Sequence, residues 1–190
     1  MRYRLLALMN GVTILSGGTA GRKLLTALIA AILPSDRQMV VFLDFDGIEV
    51  ATASFLREGV IGFRDYARRS LQNVYPIAAN LAPAVLEELE FFVRARGDAL
   101  WSCDIDADGV VSAARVIGDL DPAERMTFEA VMKLGPVTAP ELAAQFLDQK
   151  IGPTAWNNRL SGLAAKGLVI EQKQGKSKSF SSVLEAVNGP

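Results

Sequence analysis

Apolar and polar positions alternate at two different periods along this chain, and the switches between them outline its elements. Met39 to Phe45 is an almost unbroken apolar run bounded by Asp46-Gly47, which predicts a strand buried on both faces. Val74 to Ala78 reads as a second, shorter strand. Gly17-Gly18-Thr19 opens a helix whose leucines and alanines run to Leu33, where Pro34 stops it. Ser54 is positioned to cap a helix from Phe55 to Leu71, and Asn80 to cap one beginning near Ala82-Pro83. That last helix carries Val85, Leu86, Leu89, Phe92 and Val93 on one stripe and ends at Gly97. Tyr3 to Met9 and Val12 to Leu15 flank Asn10-Gly11, a dipeptide suited to a two-residue hairpin turn because both positions tolerate positive φ. Leu100 to Ile105 and Val110 to Ile117 flank Asp106-Ala107-Asp108-Gly109 and predict a second hairpin. Strands alternating with helices imply an α/β domain with a mainly parallel sheet, expected over residues 1–118 with the second hairpin trailing it.

Beyond it the pattern turns helical. Asp121 caps a helix with Pro122 at its first position, running through Phe128 and Val131 to Leu134 before Gly135-Pro136. Thr138 and Glu141 form a capping box for a helix from Pro140 to Lys150, with Leu142, Ala143 and Phe146 as its apolar face. After Gly152-Pro153 a further helix, Thr154 to Lys166, turns Trp156, Leu160, Leu163 and Ala164 to a core. Gly167-Leu168-Val169 and a lysine-bearing hairpin follow. Residues 119–190 are thus expected to form a small second domain.

Composition narrows the chemistry. The 190 residues carry a formal charge of -1, so attraction to nucleic acid would have to be local. Between Trp156 and Phe180, Arg159, Lys166, Lys173, Lys176 and Lys178 are opposed only by Glu171. There is no histidine, and the single cysteine, Cys103, excludes an intramolecular disulfide; a cytoplasmic protein is expected. Arg2 and Arg4 precede Leu5-Leu6-Ala7-Leu8-Met9 as in a signal peptide, but Asn10-Gly11 interrupts the apolar run, and none is expected. Leu24 to Leu33 is too short for a membrane span.

The segment Val41 to Arg57, with its Leu43-Asp44-Phe45-Asp46-Gly47-Ile48 core and Ser54-Phe55 helix start, resembles the STAS-like family related to the anti-sigma-factor antagonists. The likeness extends over Met1 to Gly97 and implies a β-β-α-β-α-β-α order and a role in receiving a signal or binding a protein partner. In the phosphorylated antagonists the switch serine lies in the turn before this helix. Here Ala53 falls at that register, leaving Thr52 and Ser54 as candidates for modification or for helix capping.

From Asp121 to Leu184 the chain resembles bacterial winged helix-turn-helix regulators, through Leu163 followed after three residues by Gly167-Leu168-Val169. The resemblance implies that the helix from Thr154 enters the major groove of double-stranded DNA, with Asn157 and Asn158 reading bases and Thr154, Arg159 and Ser161 beside them. Lys173, Lys176 and Lys178 would contact phosphates from the wing. Trp156 is assigned to the core. A homodimer is expected, since half-sites mirror protein symmetry.

Three other motifs stop short. Gly17 to Lys23 lacks the P-loop spacing, since Arg22 stands where the second glycine belongs and no Ser or Thr follows Lys23. Asp104, Asp106, Asp108 and Gly109 match the first half of a calcium loop, but the twelfth position is Arg115. Asp44 and Asp46 lack a partner base, and Asp44 reads as structural. No enzyme, cofactor or metal is expected. A DNA-binding transcriptional regulator is the leading reading; the alternative is an antagonist-like protein-interaction module that binds no DNA.

Overall fold

The computed structural model describes residues 1–32, 37–71, 73–175 and 177–185. The chain divides into two compact units, Met1–Asp119 and Leu120–Pro190.

The first unit is mixed α/β around a five-stranded, mostly parallel sheet of order β1-β3-β5-β6-β7. Its strands are β1 (Arg2–Arg4), β3 (Met39–Asp44), β5 (Val74–Ala79), β6 (Ala99–Ile105) and β7 (Val111–Gly118). All pairings are parallel except β6 with β7, which form the predicted trailing hairpin. Each new parallel strand is added on the same side of the last. Right-handed crossovers therefore stack α2 (Gly18–Ala31), the helical run over 53–71 and α5 (Pro83–Ala95) on one face. Their Leu24, Leu28, Leu56, Phe63, Val85 and Leu89 share one core with Val41, Leu43, Ala78 and Leu100 of the sheet. The opposite face, including Phe42, Ile77, Trp101 and Cys103, is also buried, which explains why β3 and β5 read as continuous apolar runs.

The run over 53–71 comprises α3 (Ala53–Leu56) and α4 (Gly62–Tyr66), each followed by a wider π-helical segment, Arg57–Ile61 and Ala67–Leu71. Two glycines, Gly21 of α2 and Gly59 of the run, set its distance from α2. A Cβ on Gly21 would lie 2.6 Å from the Phe55 carbonyl oxygen and 2.9 Å from Glu58 Cβ, and one on Gly59 would lie 3.1 Å from the Gly21 carbonyl oxygen, so the two backbones meet where Gly21 has no room for a side chain and Gly59 little. Arg64 is buried behind this contact. Its guanidinium donates to Asp98 at 2.6 Å, to Asp65 at 2.8 Å and to the Ala99 carbonyl at 3.3 Å. Burial would lower its pKa, but the hydrogen bonds and charges of Asp98 and Asp65 outweigh that and raise it.

Several expectations need correction. The first hairpin does not form: β1 pairs parallel with β3, Leu5–Leu8 is a helical turn (α1), and β2 (Ile14–Leu15) pairs parallel with β4 (Val50–Ala51). Leu5 enters the core, and a parallel β1 leaves no antiparallel partner for the residues after it. Asn10 and Gly11 do have positive φ, 55° and 79°, but they end α1, with Gly11 N–H donating to the Leu6 carbonyl at 2.8 Å. Ser54 lies inside α3 and does not cap it. The Ala53 N–H instead donates to Glu88 of α5 at 2.9 Å. Asn80 is not the cap of α5 either; the cap position is Ala82, and Asn80 is held at φ 55° by β-strand neighbours. The expected end of α2 at Leu33-Pro34 lies outside the described residues.

In the second unit α6 (Pro122–Leu134), β8 (Val137–Thr138), α7 (Ala139–Gln145) and α8 (Pro153–Lys166) precede the hairpin β9 (Val169–Gln174) and β10 (Ser177–Ser182). The three strands form an antiparallel sheet of order β8-β10-β9. Both predicted N-termini carry full capping boxes, Asp121 with Glu124 and Thr138 with Glu141. The α7 helix is shorter than expected: Phe146 leaves helical geometry, a 3₁₀ turn covers Leu147–Gln149, and Lys150 takes a left-handed φ of 53°. Trp156, Leu160, Leu163, Leu168 and Phe180 are fully buried at the centre of this unit.

Candidate functional site

The stripe that buries Trp156, Leu160, Leu163 and Ala164 leaves the opposite side of α8 to solvent. Thr154 and Asn158 are exposed there, Ser161 is half-buried, and Ala155 and Ala165 are exposed as well. This edge is polar but uncharged. Asn157 and Arg159 sit on opposite flanks of the stripe and are half-buried, because one residue of helix rotates a side chain by about 100°. The Arg159 guanidinium lies 5.6 Å from the Trp156 ring, and Phe146 packs 5.6 Å from the same ring on a tilted plane. The Trp156 Nε1 and the Arg159 Nη1 are both buried with no partner among the described residues.

The hairpin next in the chain holds the remaining candidates. Lys173 of β9 faces Lys178 of β10 in register, which brings two ammonium groups to one cross-strand position. Lys178 is tied to Glu171 at 2.9 Å, while Lys173 is exposed. Lys166 is likewise paired, with Glu124 at 2.8 Å. Lys176 lies outside the described residues. The local excess of positive charge that the sequence suggests is therefore partly spent on intramolecular pairs.

In the first unit, Thr52 and Ser54 face each other with hydroxyls 3.2 Å apart, and the Thr52 hydroxyl also accepts from the Gly17 N–H at 3.2 Å. The Glu88 carboxylate already occupies the start of α3. A phosphate on Ser54 would meet that carboxylate as a like charge. The glycine-rich turn has a structural use as well, since Gly21 belongs to the α2 contact with the 53–71 run. Asp106 Oδ1 accepts from the Asp108 and Val110 N–H groups, so the acidic hairpin turn is stabilised by its own backbone, between two strands. Among the described residues no cluster of His, Cys, Asp or Glu has metal-holding geometry.

Asp44 is fully buried, and its carboxylate accepts from Arg2 Nε at 2.8 Å, the Asp46 N–H at 3.0 Å and Asn80 Nδ2 at 2.8 Å. It ties β1, β3 and β5 together, a structural role. Beside it opens a crevice lined by Arg2, Arg4, Asp46, Asn80, Asp104 and Asp106. From the sequence, Asp44 and Asp46 read as carboxylates without a partner base and Asp104 and Asp106 as part of a half-matched calcium loop, while Arg2, Arg4 and Asn80 are not expected as site residues. Arg4 ends β1 and Asn80 follows β5, at carboxyl ends of the kind where open α/β sheets bind ligands, but only the parallel register shows that those ends meet.

No protein-family model, curated protein or solved structure matches the chain. Among the described residues no helix is long and apolar enough to cross a membrane.

Proposed function

We propose that the chain is a DNA-binding transcriptional regulator. In this reading the second unit is a winged helix-turn-helix that sets α8 in the major groove, and the first is a STAS-like unit that receives a signal or a protein partner. The observation that supports it is the polar edge of α8, with Thr154 and Asn158 exposed and Ser161 half-buried, in a unit of order α6-β8-α7-α8-β9-β10 whose hairpin exposes Lys173. Short polar side chains on a helix can approach base edges, and a hairpin lysine can approach phosphate. Asn158 is the better base reader of the two asparagines because it is the exposed one. Dimerisation on paired half-sites belongs to the same reading.

The protein-docking alternative draws support from the same site. Lys166 and Lys178 are neutralised by Glu124 and Glu171, and the α8 edge carries no cation. Binding to mixed-sequence duplex across a salt series separates the two readings. The regulator weakens as salt rises, and Lys173→Ala reduces the slope of log affinity against log salt by about 1. Absence of binding at low salt would overturn the DNA reading in favour of a protein partner. In DNA selected from a random pool, Asn158→Ala lowers the preference for the enriched sequence more than it lowers affinity for unselected DNA.

A further inference from the structure

The crevice at the carboxyl ends of β1, β3, β5 and β6 has a volume of about 540 Å³, within the range of roughly 300–1,000 Å³ typical of small-molecule sites. Its walls come from four separate stretches of chain: the arginines of β1, the turn Asp46-Gly47-Ile48 after β3, the turn Asn80-Leu81-Ala82 after β5, and Asp104 to Ala107 at the end of β6.

Those walls carry both signs of charge. Arg2 is engaged by Asp44 at 2.8 Å and by the Asp106 carbonyl at 2.7 Å. Arg4 is different. It stands 3.7 Å from Asp44, beyond hydrogen-bond reach, and its side chain is 62% exposed. Asp46, beyond the end of β3, and Asp104 and Asp106, at the end of β6, are exposed and line the same crevice. One side of α5's first turn also faces this region: Ala82 lines the crevice, offers no side-chain cap, and no acidic residue follows it in that turn.

The site is also rigidly built. Asn80 has a φ of 55°, a left-handed conformation that asparagine tolerates better than other residues with a Cβ, and it is held there from three sides. Its Nδ2 donates to Asp44 at 2.8 Å and to the Ile105 carbonyl at 3.1 Å, its Oδ1 accepts from the Ile105 N–H at 2.9 Å, and its own N–H donates to the Cys103 carbonyl at 3.0 Å. These bonds fix the turn that brings Leu81 and Ala82 to the crevice and lock β5 to β6. A turn fixed by several hydrogen bonds beside a cavity is the arrangement expected of a preorganised site.

We propose that this crevice binds a small zwitterion of the α-amino acid type, its carboxylate toward Arg4 and the first turn of α5, its ammonium toward Asp104 and Asp106. A simple anion would meet three exposed carboxylates, and a simple cation would meet Arg4; only a ligand bearing both charges is matched on both walls. The proposal does not rest on DNA binding by the second unit, and gives the first unit a signal of defined chemistry.

The test is ¹H–¹⁵N correlation spectroscopy of the full chain, titrated at neutral pH with each standard α-amino acid and, for comparison, with succinate and putrescine. The expected result is a saturable shift of the Gly47, Ala82 and Ala107 amides by at least one amino acid with a Kd below about 1 mM, and none by succinate or putrescine. Arg4→Gln and Asp104→Asn, both surface changes, each weaken that binding by about tenfold or more with the remaining spectrum unchanged. The proposal is overturned if no amino acid shifts those amides, if succinate or putrescine binds as tightly as the best amino acid, or if both variants bind like the parent protein.

Discussion

The two units handle charge in opposite ways. The first buries it: Asp44 is wholly inaccessible, Arg64 nearly so, and both are held by hydrogen bonds from several elements. The second holds charge in partly exposed pairs such as Lys166 with Glu124 and Lys178 with Glu171, around a mainly apolar centre of Trp156, Leu160, Leu163 and Phe180. Buried, multiply bonded charge fixes geometry, and in the first unit it fixes the rim of a crevice. The more exposed of these pairs, Lys178 with Glu171, contributes about 0–1 kcal/mol and is free to exchange partners, which suits a docking face more than a binding pocket.

This contrast can be broken experimentally because each unit has one tryptophan, Trp101 in the first and Trp156 in the second. In a Trp101→Phe background, Leu160→Ala should lower the stability reported by Trp156 fluorescence in urea by about 3–4 kcal/mol, the range for a fully buried leucine. A change below about 1 kcal/mol would show that the second unit is not organised around this stripe. In the first unit, Asp98→Ala leaves the buried Arg64 with one carboxylate fewer, and should cost about 3 kcal/mol as read by Trp101 in a Trp156→Phe background. If Asp98→Ala instead costs no more than a surface substitution, buried charge is not what distinguishes this unit.

Gly21→Ala sharpens the comparison from the packing side. The added methyl meets the Phe55 carbonyl and Gly59 backbone rather than a movable side chain, so the helices must separate, at about 2 kcal/mol. The same change at Gly162 of α8, whose added Cβ would meet nothing within 4 Å, should be neutral or slightly stabilising.

What the sequence discloses follows the same division. Both capping boxes of the second unit, and the helices they start, depend on residues three apart and are readable locally. The buried strands β3 and β5 are readable because an apolar run covered on both faces has no polar alternation to obscure it. Failures arise where a distant partner overrides a local preference. Asn10-Gly11 has the φ values of a hairpin turn, yet β1 is claimed by β3 some 40 residues away, so the pair ends a helix. Ser54 and Asn80 have the chemistry of caps, but Glu88 supplies the acceptor at the first and Asp44 and Ile105 recruit the second. The crevice was invisible for the same reason: its charged residues, from Arg2 to Asp106, meet only through the parallel register of four strands.

Titration separates the units more gently. Glu141 accepts hydrogen bonds from the backbone and side chain of Thr138, which hold its carboxyl below the usual value of 4.5. A depressed acid contributes stability that is present above its unfolded pKa and lost as pH falls, so the start of α7 should lose amide-exchange protection below about pH 4.5, and Glu141→Gln should remove that dependence.

Cys103 shows the opposite sign at the other end of the pH scale. Burial, with the charges of Asp104 and Asp44 adding to it, pushes its thiol from 9.0 up to about 11. A raised acid is protonated more tightly in the folded state, so its contribution is complete below pH 9.0 and declines as pH rises through about 11. Thiolate absorbance near 240 nm should therefore be absent from the native protein at pH 9 to 10 and appear in that range only after unfolding in urea. Exchanging Asp104 for Asn should bring the native titration down part of the way, because burial is the larger cause and remains. If the native thiol ionises near pH 9.0 before and after that change, the floor of the first unit admits water, and the dry, charge-fixed interior that separates it from the second unit would have to be given up at β6.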